Sequence, residues 1–190
     1  GITRWKGEEW ITQRALDTAN FTVEKDALTL CGNGLDLCDR KMQGLLLVRQ
    51  QERAFTAETA LEIPAAGTAG LTCYYDEHSY LKFGIGPEGL LLEEYAGYEV
   101  VSRQTAPLPA STSHVRLRVT AADGQRHFAI QDRTDWHTLW SIPEPRYLTS
   151  EGLQCGKRFT GAMVGLYVHG ASAVRFTDWV AVWPHPEEKR

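Results

Sequence analysis

The residues of this 190-residue chain that could do chemistry are scattered rather than gathered. Two carboxylates work as an acid and a base when held roughly 5 to 9.5 Å apart across a cleft. Glu93 and Glu94 are adjacent, so in a strand they point to opposite faces. Asp132 and Asp135 share the short polar stretch Asp132-Arg133-Thr134-Asp135, where aspartates serve turns through their side-chain hydrogen bonds. Neither pair is nominated for acid–base work. The six histidines show no close pairing, and no metal site is expected on them. No nucleophile elbow, zinc-protease helix, phosphate loop or dinucleotide fingerprint is present. Read alone, the chain is non-catalytic.

Cys31, Cys38, Cys73 and Cys155 lack the close spacing of a zinc or redox site. Cys31 and Cys38 bracket Gly32-Asn33-Gly34, a hairpin signal. They could form an oxidised pair across it; free, half-buried thiols are the expectation. The remaining chemical signal is aromatic, with six Trp, seven Tyr and six Phe. Such rings can stack on the apolar faces of sugars or fill a core. Phe159 follows two cations, Lys157 and Arg158, and precedes Thr160 and a strand with Ala162, Val164, Leu166 and Val168 on one parity. An aromatic at such a junction serves as a packing plug or as a contact offered to a partner. Gly161 and Gly165 interrupt the strand pattern, as at a bulge, a bend or a close backbone approach.

The elements that must position these residues are strands. Arg53 to Ile63 alternates, with Phe55, Ala57, Thr59, Leu61 and Ile63 against Glu58 and Glu62. Further strands are expected over 45–49, 71–75, 80–85, 90–95, 114–120, 127–131 and 173–183, separated by Gly, Pro and Asp turns. Residues 1–26 are expected to lie along a sheet as an N-terminal arm, and Trp136 is expected to be buried between hairpin and opposite sheet. Ten or more short strands without an amphipathic helix predict an all-β fold, a two-sheet antiparallel sandwich of jelly-roll type. One domain over 1–190, with its core about 10–183, suits the length. A net charge of −4 and no long basic run argue against a nucleic-acid partner, and no apolar run suits a membrane span. A chain opening at Gly1 is read as an excised piece of a longer protein, without a signal peptide.

Four segments in order carry a resemblance. They are Arg49-Gln-Gln with Phe55-Thr-Ala-Glu-Thr-Ala-Leu61; Ala69-Gly-Leu-Thr-Cys-Tyr-Tyr75 running to Tyr80; Phe128-Ala-Ile-Gln-Asp132 with Trp136; and Phe159-Thr-Gly-Ala-Met-Val-Gly-Leu-Tyr167 ending in Phe176 and Trp179. Together they resemble the C-terminal, concanavalin A-like β-sandwich of glycoside hydrolase family 43 β-xylosidases and arabinofuranosidases. The resemblance implies that catalytic carboxylates sit on a separate propeller domain, the partner against which this sandwich packs. It implies that Phe159, with Lys157, Arg158 and Thr160 beside it, closes one side of a pocket for a xylo- or arabino-oligosaccharide. It also implies kinship with xylan-binding modules, and the alternative reading is an independent glycan-binding module with its own aromatic platform, for which Tyr75 and Tyr80 are the candidates. No cofactor is implied, calcium finds no support in the sequence, and the setting is that of a bacterial-type cytoplasmic or secreted glycosidase. One departure is that Thr177 follows Phe176 where the family commonly has Asp, with Asp178 one place later.

Overall fold

The computed structural model describes residues 2–12, 20–109, 112–149 and 162–184. Alternation makes the strands. In β6 (Phe55–Glu62), Phe55, Ala57, Thr59 and Leu61 are buried, whereas Glu62 is exposed on the opposite parity. Thr59 is a polar residue in that inward row, and its buried hydroxyl is paired by donating to the Thr177 carbonyl at 2.8 Å. β11 (His114–Ala122) repeats the pattern with Val115, Leu117 and Val119 inward.

Two antiparallel sheets result. The eight-stranded sheet runs in the order β1 (Ile2–Trp5), β2 (Glu8–Ile11), β5 (Leu45–Arg49), β14 (Met163–His169), β7 (Thr68–Asp76), β8 (Ser79–Gly86), β9 (Gly89–Ala96), β10 (Glu99–Ala106). The seven-stranded sheet runs β13 (Asp135–Pro143), β12 (Gln125–Asp132), β11, β6, β15 (Ala173–Val182), β4 (Ala27–Cys31), β3 (Asn20–Val23). Their inner faces share one apolar core that includes Leu46, Leu71, Phe83, Leu92, Leu117, Phe128, Val164 and Phe176. Each such fully buried side chain contributes about 1.5–3 kcal/mol of transfer free energy. The only helical element among the described residues is one 3-10 turn, Arg146–Leu148. No helix among them is long and apolar enough to cross a membrane.

The N-terminal arm is built from strands. β1 and β2 form a hairpin that extends the eight-stranded sheet at β5, and β3 edges the other sheet. Gly165 marks a close backbone approach, because a Cβ there would stand 2.2 Å from the Leu46 carbonyl oxygen.

Three expectations are corrected. No hairpin forms around Gly32-Asn33-Gly34: β4 ends at Cys31, and 32–44 contains no strand. Instead the Asn33 side chain donates to the Lys41 carbonyl at 2.9 Å and accepts from the Gln43 N–H at 3.2 Å, tying the loop to itself. Cys31 and Cys38 are free. Strands β10 and β13 were not anticipated, because neither Glu99–Ala106 nor Asp135–Pro143 shows a clean alternation. Trp136 is not a core residue. It pairs with Gln131 on the outer face, half-buried, with the Arg118 guanidinium 3.8 Å from its ring centroid. A register shift then reverses parity, so that Trp140 pairs with Phe128 and packs inward on Phe83.

Candidate functional site

Chain direction brings one end of the eight-stranded sheet together. β5 finishes there and β14 begins there, joined by the Gln50 N–H donating to the Ala162 carbonyl at 3.1 Å. The cross-strand register carries the same tier onward from Arg49 to Met163, Tyr74, Tyr80 and Tyr95. Thr149 is held by its hydroxyl and its N–H, which donate to the Arg146 carbonyl at 2.8 and 3.1 Å.

Beneath the tier, between the sheets, lies a buried cation. Arg126 is 1% exposed and shares its inward parity with Phe128 and Ile130. Its Nε and Nη2 donate to the two Glu144 carboxylate oxygens at 2.7 and 2.8 Å, a forked pair. Nη2 also approaches Gln50 Oε1 at 3.4 Å, and Gln50 Nε2 donates to the Glu52 carbonyl at 3.0 Å. The Phe55 ring lies 5.3 Å from the guanidinium. Cys73 stands close by, and burial pushes its thiol up despite the pull of Arg126. A thiol so held stays protonated and is a poor nucleophile. Tyr147 donates to Glu94 at 2.9 Å; burial, then the Glu94 charge, pushes its hydroxyl up as well. These groups tie the two sheets together at this end of the sandwich.

The outer side of the same sheet carries a second layer. Loop 32–44 lays Leu37 and Met42 against Leu45, Leu47, Tyr74, Tyr80, Met163 and Tyr167. Lys82, 2% exposed, is gripped there by Asp36 at 3.0 Å and Glu93 at 3.2 Å, with His169 Nδ1 at 3.3 Å. Burial, then the nearby Asp36 charge, pushes the Tyr80 hydroxyl up.

Of the residues singled out from sequence, Lys157, Arg158, Phe159 and Thr160 lie outside the described residues, as do Gly161 and Cys155. Tyr75 and Tyr80 are not brought together. Tyr75 packs on the inner core, whereas Tyr80 is fully covered on the outer face, stacked between Tyr74 and Tyr95 at 6.2 and 4.8 Å. Glu93 and Glu94 do point to opposite faces, toward Lys82 and toward Tyr147. Asp132 and Asp135 face each other across an exposed turn. Asp178 sits at a register shift in β15 with φ 54° and accepts from Arg116 at 2.8 Å. Among the described residues, no three His, Cys, Asp or Glu side chains could hold a metal ion. Sequence reasoning missed Arg126 and Lys82. Arg126 was findable as a cation on an inward parity; Lys82 was not, because nothing local announces that a distant loop covers it.

Comparison with known proteins agrees with this geometry. Residues 6–179 match the family model described as the β-xylosidase C-terminal concanavalin A-like domain. A β-xylosidase of Bacillus subtilis (strain 168) is 27% identical over 169 residues, covering 80% of this chain and 32% of that protein. Among solved structures, a Bacteroides ovatus protein described as xyloglucan PUL GH43B superposes with a TM-score of 0.73 at 20% identity, covering 95% of this chain and 38% of that one. A xylan β-1,4-xylosidase from Bacillus halodurans C-125 gives 0.67 at 20% identity, covering 82% and 32%. At these identities the structural likeness speaks for the fold. The chain spans about a third of the length of the relatives it matches. Fold, order of motifs and family match agree, and the chain belongs to the C-terminal concanavalin A-like domain family of glycoside hydrolase family 43 β-xylosidases.

Proposed function

We propose that this chain is a non-catalytic accessory domain that completes the sugar pocket of a catalytic propeller domain in the same protein. Phe159 forms one wall of that pocket, and Lys157, Arg158 and Thr160 flank it. The substrate class is a xylo- or arabino-oligosaccharide. The observation that carries this reading is the family match over 6–179 in a chain a third the length of its relatives. The pairing of Ala162 with Gln50, just after the stretch that holds Phe159, is consistent with it. The role asked of Phe159 is shape and exclusion of water, which an apolar ring supplies without proton transfer.

The test uses the intact protein and the 190-residue chain side by side. Phe159→Ala should lower kcat/KM on an aryl xyloside by about tenfold or more in the intact protein, since a loosened substrate wall misplaces the reacting bond. It should leave the melting temperature of the isolated chain within about 2 °C, as surface substitutions do. Unchanged turnover, or a large melting loss in the isolated chain, would return Phe159 to a packing plug. Turnover by the isolated chain that a carboxylate substitution within it abolishes would sink the accessory reading altogether.

A further inference from the structure

The ring row Tyr74–Tyr80–Tyr95, covered at Tyr74 and Tyr80 and half-buried at Tyr95, ends at the β9–β10 turn, and there the pattern changes. Gly97 and Tyr98 form the two-residue turn with φ of 62° and 69°. The comparable turns Lys6-Gly7 and Asp123-Gly124 put glycine in second place. Here the second place is taken by tyrosine, in a left-handed conformation that costs an L-residue about 1–2 kcal/mol. Its ring is 71% exposed, the most exposed large apolar side chain among the described residues. Strain and exposure together in one residue point to use rather than packing.

The surroundings define the use. His78, from the β7–β8 turn, sets its ring 4.1 Å from the Tyr98 ring, centroid to centroid, at 41°. Asp76 accepts from the His78 N–H at 2.8 Å, and Glu77 stands 3.8 Å from His78 Nε2. Glu99 follows Tyr98 in the chain. An exposed aromatic face beside carboxylates suits a neutral sugar, whose C–H face stacks and whose hydroxyls donate. The strands on either side are irregular, with register shifts at Tyr75 in β7 and at Val101 in β10. Such bulges re-aim side chains and break an edge that another strand would need for pairing. The exposed Val100 and Val101 therefore do not make β10 a ready docking edge.

We propose that Tyr98, backed by His78, is a surface stacking site for a neutral oligosaccharide, argued independently of the pocket assigned to Phe159. The proposal does not rest on that pocket. Its test is affinity electrophoresis of the 190-residue chain through gels containing soluble arabinoxylan, with a neutral glucan as a second arm. Arabinoxylan should retard the chain, and Tyr98→Ala should weaken its affinity about tenfold, the worth of one stacking contact. Tyr98→Trp should keep the retardation. Tyr98→Gly should lose it while raising the melting temperature, because glycine relieves the left-handed strain. Phe159→Ala should migrate like the parent chain, so failure of the pocket reading and failure of this one are distinguishable. Absence of retardation by either polysaccharide, or equal retardation of the parent and Tyr98→Ala chains, would overturn the site. So would loss of association with the catalytic domain in Tyr98→Ala without any sugar retardation, which would make Tyr98 a protein contact.

Discussion

The two sheets share a core yet treat their outer faces in opposite ways. The outer face of the eight-stranded sheet is roofed by loop 32–44, and its Tyr74, Tyr80, Tyr167 and Lys82 are out of water. The outer face of the seven-stranded sheet carries exposed or half-exposed ion pairs. Arg118 meets Glu58 at 2.7 Å and Arg116 meets Asp178 at 2.8 Å, with Trp136 lying under Arg118. One sheet thus has two packed faces, the other one packed face and one wet one. The two sheets meet at one end, where Gln50, next after β5 of the roofed sheet, faces Arg126 of the seven-stranded sheet at 3.4 Å, and the stacked tyrosines belong to the roofed sheet alone. The wet sheet closes the back of the core.

The sharpest way to break this contrast is to remove one cation from each face. Lys82→Ala takes a buried ammonium from between Asp36 and Glu93. Uncompensated carboxylates under a roof are costly, and the loss should be about 3 kcal/mol, the low end for a broken buried pair. The low end applies because Arg103 still reaches Glu93 at 3.4 Å. Arg116→Ala removes a more exposed cation and should cost less than about 1 kcal/mol. Urea unfolding of both chains measures the difference. Equal losses would mean that the roof does not exclude water from Lys82.

The sandwich itself was legible because its strands alternate. β6, β11 and β15 announce inward and outward rows directly. What was not legible depends on partners far away in sequence. Lys82 reads as an ordinary outward residue until residue 36 folds over it. Gly32-Asn33-Gly34 has the composition of a tight turn, but Asn33 spends its side chain on residues 41 and 43. Tyr98 is hidden in sequence because a Gly-Tyr pair does not advertise two left-handed residues. Tyr75 and Tyr80 lie near each other in sequence, but register pairs Tyr80 with Tyr74 and leaves Tyr75 on the opposite face. The segment holding Phe159 was recognised by resemblance alone.

A second pair of substitutions sharpens the contrast within β13. Parity puts Trp136 outside, and the register shift turns Trp140 inside. Trp136→Ala loses its stack with Arg118 and part of its buried area, worth about 1 kcal/mol. Trp140→Ala opens a hole beside Phe83 and Phe128 and should approach the 3 kcal/mol or so of a core aromatic truncation. Thermal unfolding monitored by near-UV dichroism resolves the two. A larger loss at Trp136 than at Trp140 would put the register shift in the wrong place.

The smallest effect tests the roof through its histidine. His169 lies 3.3 Å from Lys82 Nζ and 3.6 Å from Asp36, with Glu93 beyond Lys82. Burial lowers its pKa, and Lys82 lowers it further against the opposing pull of Asp36 and Glu93. An imidazole in the unfolded chain takes its proton near pH 6.5, whereas the folded one takes it only at lower pH. Between those two points the unfolded state binds more protons, so stability falls as pH falls. The contribution is complete above about pH 6.5 and is lost as pH drops through the folded value. Because His169 is partly solvated, the change should be modest and should shrink at high salt. Urea midpoints at pH 7.5 and 5.5 measure it, with His169→Gln as the comparison. The parent chain should lose more between the two pH values than His169→Gln, since glutamine keeps a polar contact but cannot take up the proton. If both chains lose the same amount, the acid sensitivity does not belong to His169, and its place beside Lys82 does not couple the roof to pH.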